Sequence, residues 1–405
     1  MPGFELWSDA ERKHVNDVLE TGILMRYGFD GPRKGVWKAK ELEQEICNSF
    51  GSKHAQLVSS GTAALTTALS ALGVGYGDEV IMPSFTFVAS FEAVISVGAV
   101  PVMVDVDDTL TLDPAAVKAA ITPKTKCIMP VHMCGSMADM DELQAICKEH
   151  KLLLLEDACQ AIGGTYKGKK LGTIGDAGTF SFDFVKTITC AEGGVVMTNS
   201  EDTYIKCDGY SDHGHDHIGN DRGAEPHPFI GYNFRISELH AAVGLAQIKR
   251  LPEFLAIQKK NHAALKNILA TIPEISFRRI PDAEGDSCTF LNWLLPTTEI
   301  MQAVVAEMKA QGIFGGNFYW FQHNWHYINM WDHLKHSITL NALSPELKEK
   351  VMYHANKDFS ASDAIISRCI SSAISLTWTE EQINDKGEKM VAVIKKVLSE
   401  MAVNA

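Results

Sequence analysis

From about Ala55 to Asn199 the chain alternates short, almost wholly apolar runs with segments whose apolar residues recur at helical spacing. No other feature constrains the fold as much. Strands that are apolar on both sides need cover on both sides, and parallel strands need a crossover, usually a helix, between them. Ala55-Gln56-Leu57-Val58 leads into a helical stretch from Thr62 to Leu72. Glu79-Val80-Ile81-Met82 stops at Pro83, and Phe91 to Val97 reads as a helix ending at Gly98. Pro101 to Asp105, Cys127 to Val131 and Leu152 to Asp157 supply further strands. The expected class is α/β, with a mostly parallel sheet flanked by helices.

Beyond Leu251-Pro252 the pattern changes to long helical stretches, Phe254 to Ile272, Glu299 to Gln311 and Gln382 to Met401, enclosing a few short strands. This predicts a large domain over residues 1–252, N-terminal segment included, and a smaller α+β domain over 253–405. A chain of 405 residues is long enough for both. The formal charge of −13 disfavours nonspecific attraction to nucleic acid or an anionic membrane. Met1 to Glu5 shows no basic stretch followed by an apolar core, and no apolar run reaches the roughly 18 residues of a spanning helix, so neither a secretory signal nor a membrane anchor is expected. Nine cysteines, an odd count without any C-x-x-C, point to reduced thiols in a cytoplasmic protein and away from a structural zinc or iron–sulfur site.

Three segments carry chemistry. In Ser59-Ser60-Gly61-Thr62-Ala63-Ala64-Leu65 a strand ends and a helix begins, so free amides and the positive helix end converge as a phosphate cup would require. An ordinary serine N-cap accounts for the same residues. Glu156-Asp157-Ala158-Cys159-Gln160-Ala161 sets Asp157 at the C-terminal end of an apolar strand, where α/β enzymes place ligand-binding groups. A carboxylate there suits a protonated pyridine nitrogen; a loop-capping aspartate is the alternative. In Gly178 to Gly194, Lys186 lies between an aromatic strand and a Gly-Gly turn, where desolvation would favour a free amine able to form an imine. A snorkelling surface lysine is the bland reading.

In their order and spacing, S-G-T-A-A-L, then P-S-F-T-F-V-A-S from Pro83 to Ser90, then E-D-A-C-Q-A, then F-S-F-D-F-V-K followed by E-G-G, resemble the DegT/DnrJ/EryC1/StrS sugar aminotransferases. The resemblance implies a fold-type I enzyme dependent on pyridoxal 5′-phosphate (PLP). It implies that Lys186 carries PLP as a Schiff base and then moves the substrate proton, that Asp157 pairs with the pyridine nitrogen, and that Gln160 lies by the phenolic oxygen. Phe87 would stack on the ring, and Gly61, Thr62 and Ser181 would hold the phosphate. Gly231-Tyr232-Asn233-Phe234-Arg235 matches the family's G-Y-N-x-R stretch, whose asparagine reaches a neighbouring subunit's phosphate; a homodimer with shared sites is the corollary. Asp183-Phe184 departs from the His-Pro pair of many relatives. Relatives that act as 3-dehydratases carry histidine at the lysine position, so Lys186 favours transamination.

Four more stretches narrow the substrate: Met25 to Asp30, His132 to Met137, Ser211 to Arg222, and Phe318 to Tyr327. They resemble the branch of the family that installs nitrogen at C8 of an oxidised 3-deoxy-D-manno-octulosonate (Kdo) for lipopolysaccharide assembly, with glutamate as donor leaving as 2-oxoglutarate. A sugar acid without a nucleotide calls for an arginine and several polar or aromatic side chains. Arg26, His213, His215, Arg222, Trp320 and His326 are the candidates, and Arg235 belongs with them or is structural beside Asn233. The bland readings are a surface loop for His213 to His217 and core packing for Phe318 to Tyr327, and the alternating His and Asp would also suit a metal. Two other functions remain: a nucleotide-sugar 3- or 4-keto aminotransferase, and a non-catalytic PLP-binding regulator.

Overall fold

A computed structural model describes residues 3–219 and 221–403. Met1 and Pro2, part of the stretch read above for a secretory signal, and Asn220, within the Ser211 to Arg222 stretch, lie outside it. The large sheet has seven strands: β1 (His54–Val58), β2 (Glu79–Pro83), β3 (Val100–Val104), β4 (Thr125–Ile128), β5 (Leu153–Asp157), β8 (Ala177–Ser181) and β9 (Gly194–Thr198). The two-residue strands β6 (Thr165–Tyr166) and β7 (Lys169–Lys170) form a separate ribbon. The sheet order is β1-β9-β8-β5-β4-β2-β3, and β9 alone runs against its neighbours. Strands β2, β3, β8 and β9 are buried along their whole length, as their uninterrupted apolar runs require.

Because β1, β2, β5 and β8 all point the same way, their C-terminal ends open on one rim. The reading of an α/β fold with a mostly parallel sheet flanked by helices holds. Helices Gly61–Ala71 and Val88–Ser96 begin one and three residues before the expected positions. All nine cysteines are free, and six are buried. Among the described residues no helix is long and apolar enough to cross a membrane.

The second sheet, β10 (Ser276–Phe277), β11 (Phe290–Leu294), β12 (Asn317–Phe318) and β13 (Cys369–Ala373), has the order β10-β11-β13-β12 and is antiparallel. The expected boundary at 252/253 falls inside one continuous helix, Glu238–Leu269, which runs through Pro252. Proline lacks an N–H and would ordinarily break a helix, but Leu245, Ile248, Leu251 and Phe254 are all buried along this one and their packing carries it past the defect. Its first half packs against helices Asp9–Thr21 and Lys38–Phe50, and it also packs against Glu380–Val403. Nor does the C-terminal part keep a core to itself. Trp320, Tyr327, Trp331, Phe359 and Leu376 belong to the main core, whereas Leu265, Trp293, Met301, Ile370 and Ile394 form the second one.

Candidate active site

Strand β1 ends at Val58, and two residues later Ser60 caps helix Gly61–Ala71, its hydroxyl accepting the Ala63 amide at 3.0 Å. The Gly61 and Thr62 amides lie in the first turn, where a helix supplies no acceptor of its own. A side chain at Gly61 would put Cβ 2.7 Å from Ser181 Cβ, so glycine is what lets the end of β8 close against this turn. Gly194 answers to the same crowding: a Cβ there would meet the Ser60 carbonyl oxygen at 2.3 Å. The turn read as a phosphate cup is thus a serine-capped helix end with Ser181 beside it.

Asp157 ends β5 and is 4% exposed. Its Oδ2 accepts the Ser90 hydroxyl at 2.7 Å and its Oδ1 the Cys159 amide at 3.2 Å, and the Ser90 and Thr86 hydroxyls lie 2.7 Å apart. Among the described residues no cation pairs with it, and a buried carboxylate without a positive partner is costly. Its neighbour Glu156 serves a different end: it accepts the amides of Gly172, Ile174 and Gly175 and the Nε2–H of His132, fixing the turn before β8.

Lys186 is half-buried, and its amine has no hydrogen-bond or ion-pair partner among the described residues. It lies near Cys159 and His326. Burial, with the Asp157 carboxylate adding to it, pushes the Cys159 thiol well above its ordinary range, while the Lys186 charge pulls the other way. Burial, and then the Lys186 charge, hold His326 well below the usual imidazole value. Gln160 Oε1 accepts the Cys134 amide at 3.0 Å, which turns its NH2 toward His326 Nε2, also at 3.0 Å. The His326 proton therefore sits on Nδ1, which has no partner. Phe87, 41% exposed, stands 5.4 Å from the His326 ring.

The N-terminal segment braces the lysine loop. The Gly3 amide donates to the Lys186 carbonyl at 3.0 Å, and Phe4 stacks on Phe184 at 4.3 Å. Glu5 accepts from the Ser375 hydroxyl and the Leu376 amide at 2.8 and 2.6 Å.

The expected sugar-binding residues part company. Arg26 is buried and spent on Glu43 at 2.6 Å, with Gln56 beside it, so it faces the interior and no ligand. Trp320 is 2% exposed and its indole N–H donates to Ser371, so it is core and no pocket wall. Arg222 and Arg235 both grip Asp212, which is fully buried and also accepts from His217. His215 pairs with Glu225 at 2.9 Å, and His213 is exposed in a left-handed turn at φ 56°. Asn233 is exposed, two residues before Arg235, which bridges to Val58 beside the cup. The residues of His213 to His217 do not gather as metal donors. Among the described residues the group that does is His262, Asp286 and Cys288, on the long helix and before β11.

A model of the DegT/DnrJ/EryC1/StrS aminotransferase family matches residues 8–390. The chain belongs to that family. It is 43% identical over 226 residues to GDP-perosamine synthase of Caulobacter vibrioides, a match that spans 54% of this chain and 58% of that protein. It is 38% identical over 310 residues to L-glutamine:2-deoxy-scyllo-inosose aminotransferase of Streptoalloteichus tenebrarius, across 72% of each. The PLP form of a sugar aminotransferase from Streptococcus pneumoniae superposes with a TM-score of 0.80 at 25% identity, covering 96% of this chain and 97% of that one. The same protein has been solved with pyridoxamine phosphate, at a TM-score of 0.81. This DegT-family enzyme is accordingly a PLP-dependent sugar aminotransferase, and its residues fit the cofactor. Asp157 is a buried carboxylate with no cationic partner among the described residues, Gly61 and Thr62 open a helix, and the Lys186 amine has no hydrogen-bond or ion-pair partner among the described residues.

Sequence reasoning missed Ser90, although it closes the quoted P-S-F-T-F-V-A-S motif. It missed Asp212 as well, because nothing local marks a carboxylate that will be buried by side chains ten and twenty-three residues away.

Proposed function

We propose that the enzyme transfers the amino group of glutamate to C8 of an oxidised Kdo, giving 8-amino-Kdo, in a ping-pong cycle within a cytoplasmic homodimer. PLP, when bound, supplies an electron-accepting ring. The rest falls to the protein. Asp157, oriented by Ser90 and the Cys159 amide, would pair with the ring nitrogen and keep it protonated. The Ser60-Gly61-Thr62 turn and Ser181 bind the phosphate, with Asn233 serving the partner's site. Lys186 takes the proton from the donor's α-carbon in the first half-reaction and returns one to the sugar's C8 in the second.

One observation carries the substrate reading: the four stretches that resemble the Kdo branch border the site or the loop beside it, although they are far apart in sequence. His132 to Met137 supplies the Cys134 amide to Gln160, and Phe318 to Tyr327 brings His326 to the same amide group. Met25 to Asp30 places Tyr27 against His217 of the Ser211 to Arg222 stretch, with ring centroids 4.2 Å apart. The similarity to GDP-perosamine synthase favours a second reading, a nucleotide-linked keto sugar as acceptor. Incubation of holoenzyme with C8-oxidised Kdo and glutamate, with glutamine as an alternative donor, should yield 8-amino-Kdo by mass spectrometry. Far better turnover of a GDP-linked 4-keto sugar would establish the second reading instead.

A further inference from the structure

Trp320 was the indole expected at the sugar, yet it is closed off in the core. The tryptophan that faces outward in the same stretch is Trp325, 49% exposed. A single exposed aromatic residue is ordinary in itself; its mounting is what distinguishes this one. The backbone around it is pinned on both sides. The Asn324 carbonyl accepts the Trp331 indole N–H at 2.8 Å, the Thr86 amide donates to the His326 carbonyl at 2.9 Å, and Tyr327 bridges to Phe85. These bonds fasten residues 324–327 across the end of β2, next to Phe87.

The ring is held as well. His323 meets the indole edge-on with ring centroids 4.7 Å apart and an interplanar angle of 82°. His326, whose ring lies 6.4 Å from that of Trp325, is the imidazole that feels the Lys186 charge and is bonded to Gln160. An indole held edge-on by His323, with the His326 and Phe318 rings 6.4 and 6.5 Å away, is half-exposed and one residue from a side chain beside the reactive amine; it is a preorganised flat surface on the rim of the site. Flat aromatic surfaces of this kind gather the C–H face of a sugar, while polar groups nearby take its hydroxyls.

We infer that Trp325 is a specificity-determining residue: its exposed indole face binds the apolar C–H face of the amino-acceptor sugar, outside the region that the amino donor occupies. The inference rests on the acceptor being a sugar of one of the two classes proposed above, an octulosonate or a nucleotide-linked keto sugar. A residue that only the sugar touches must leave the donor half-reaction alone.

The experiment compares wild-type, Trp325→Ala and Trp325→Phe holoenzymes in single half-reactions. The donor half is read from the change in cofactor absorbance with glutamate. The acceptor half is read by mass spectrometry with C8-oxidised Kdo and, in parallel, a GDP-linked 4-keto sugar. For the sugar that the wild type aminates, Trp325→Ala should raise KM about ten- to thirty-fold with kcat nearly unchanged, while Trp325→Phe stays within about threefold. The donor half-reaction should be the same in all three. An unchanged sugar KM overturns the inference. So do equal losses in both half-reactions, or a changed oligomeric state on size exclusion, which would make Trp325 an interface residue. Amination of the GDP-linked sugar alone overturns the Kdo reading and leaves Trp325 tested on that sugar. Amination of neither overturns both.

Discussion

His217 should make the stability of the enzyme depend on pH in a defined direction. Its Nδ1 lies 2.6 Å from Asp208 and its Nε2 2.9 Å from Asp212, and the side chain is 15% exposed. Burial opposes its charge, but the hydrogen bonds and charges of the two carboxylates outweigh burial and push its pKa up to about 9 from 6.5. A group whose folded pKa lies above its unfolded one contributes in full below the unfolded value, and the contribution is lost as pH rises through the folded value. The window is therefore about pH 6.5 to 9. At about 1.4 kcal/mol per pH unit the ceiling is about 3 kcal/mol, and competition from Arg222 and Arg235 for Asp212 brings it nearer 2. With an unfolding entropy of about 2.1 cal/mol/K per residue, this corresponds to about 2–4 °C in Tm for a chain of this length. Thermal melts of wild type and His217→Gln at matched scan rate should differ by about that amount at pH 6. The gap should narrow steadily above pH 7 and nearly close by pH 10. The pairwise comparison cancels the titrating groups that do not touch His217. A gap that is constant, or that widens with pH, would refute the reasoning.

Four further outcomes follow from the geometry. Lys186→Ala should remove both turnover and the visible absorbance of lysine-bound cofactor, checked by spectrophotometry and assay. Asp157→Asn should keep the fold, because Ser90 and Cys159 still anchor the side chain, but lower kcat by about two to three orders of magnitude in steady-state assays. Trp320→Phe should cost about 1–3 kcal/mol by denaturant unfolding through the lost bond to Ser371, with sugar KM unmoved. Glu5→Ala should speed hydrogen exchange in residues 183–187 and around 375–376, with a stability loss of about 1–3 kcal/mol.

The sheet was legible because its code is local and repetitive. Each strand from Ala55 to Asp157 is bounded by its own stop signal, and errors there are one to three residues. The continuity of the helix across the expected boundary was missed for the opposite reason. Pro252 is a strong local signal, and only the tertiary burial of Ile248, Leu251 and Phe254 overrides it. The family was legible as an ordered set of short motifs, although no single one was decisive. Arginines and aromatic residues were the hardest to place. Arg26 and Arg222 look alike in sequence, but Glu43 and Asp212 decide where each guanidinium goes. Trp320 and Trp325 are five positions apart on an irregular segment, with no helical or strand period to say which faces inward.

The Gly3–Leu6 brace has a consequence for how the enzyme is made. The groups that bind Glu5 lie 370 and 371 positions later in the chain. Contacts at such separation form after local structure does. A nascent chain can therefore assemble β1 through β9 and present Lys186 well before the segment beneath its loop is tied at both ends. The lysine loop is braced only after Ser375 and Leu376 are in place, and a chain cut short before Ser375 would have its sheet built but its reactive loop unbraced.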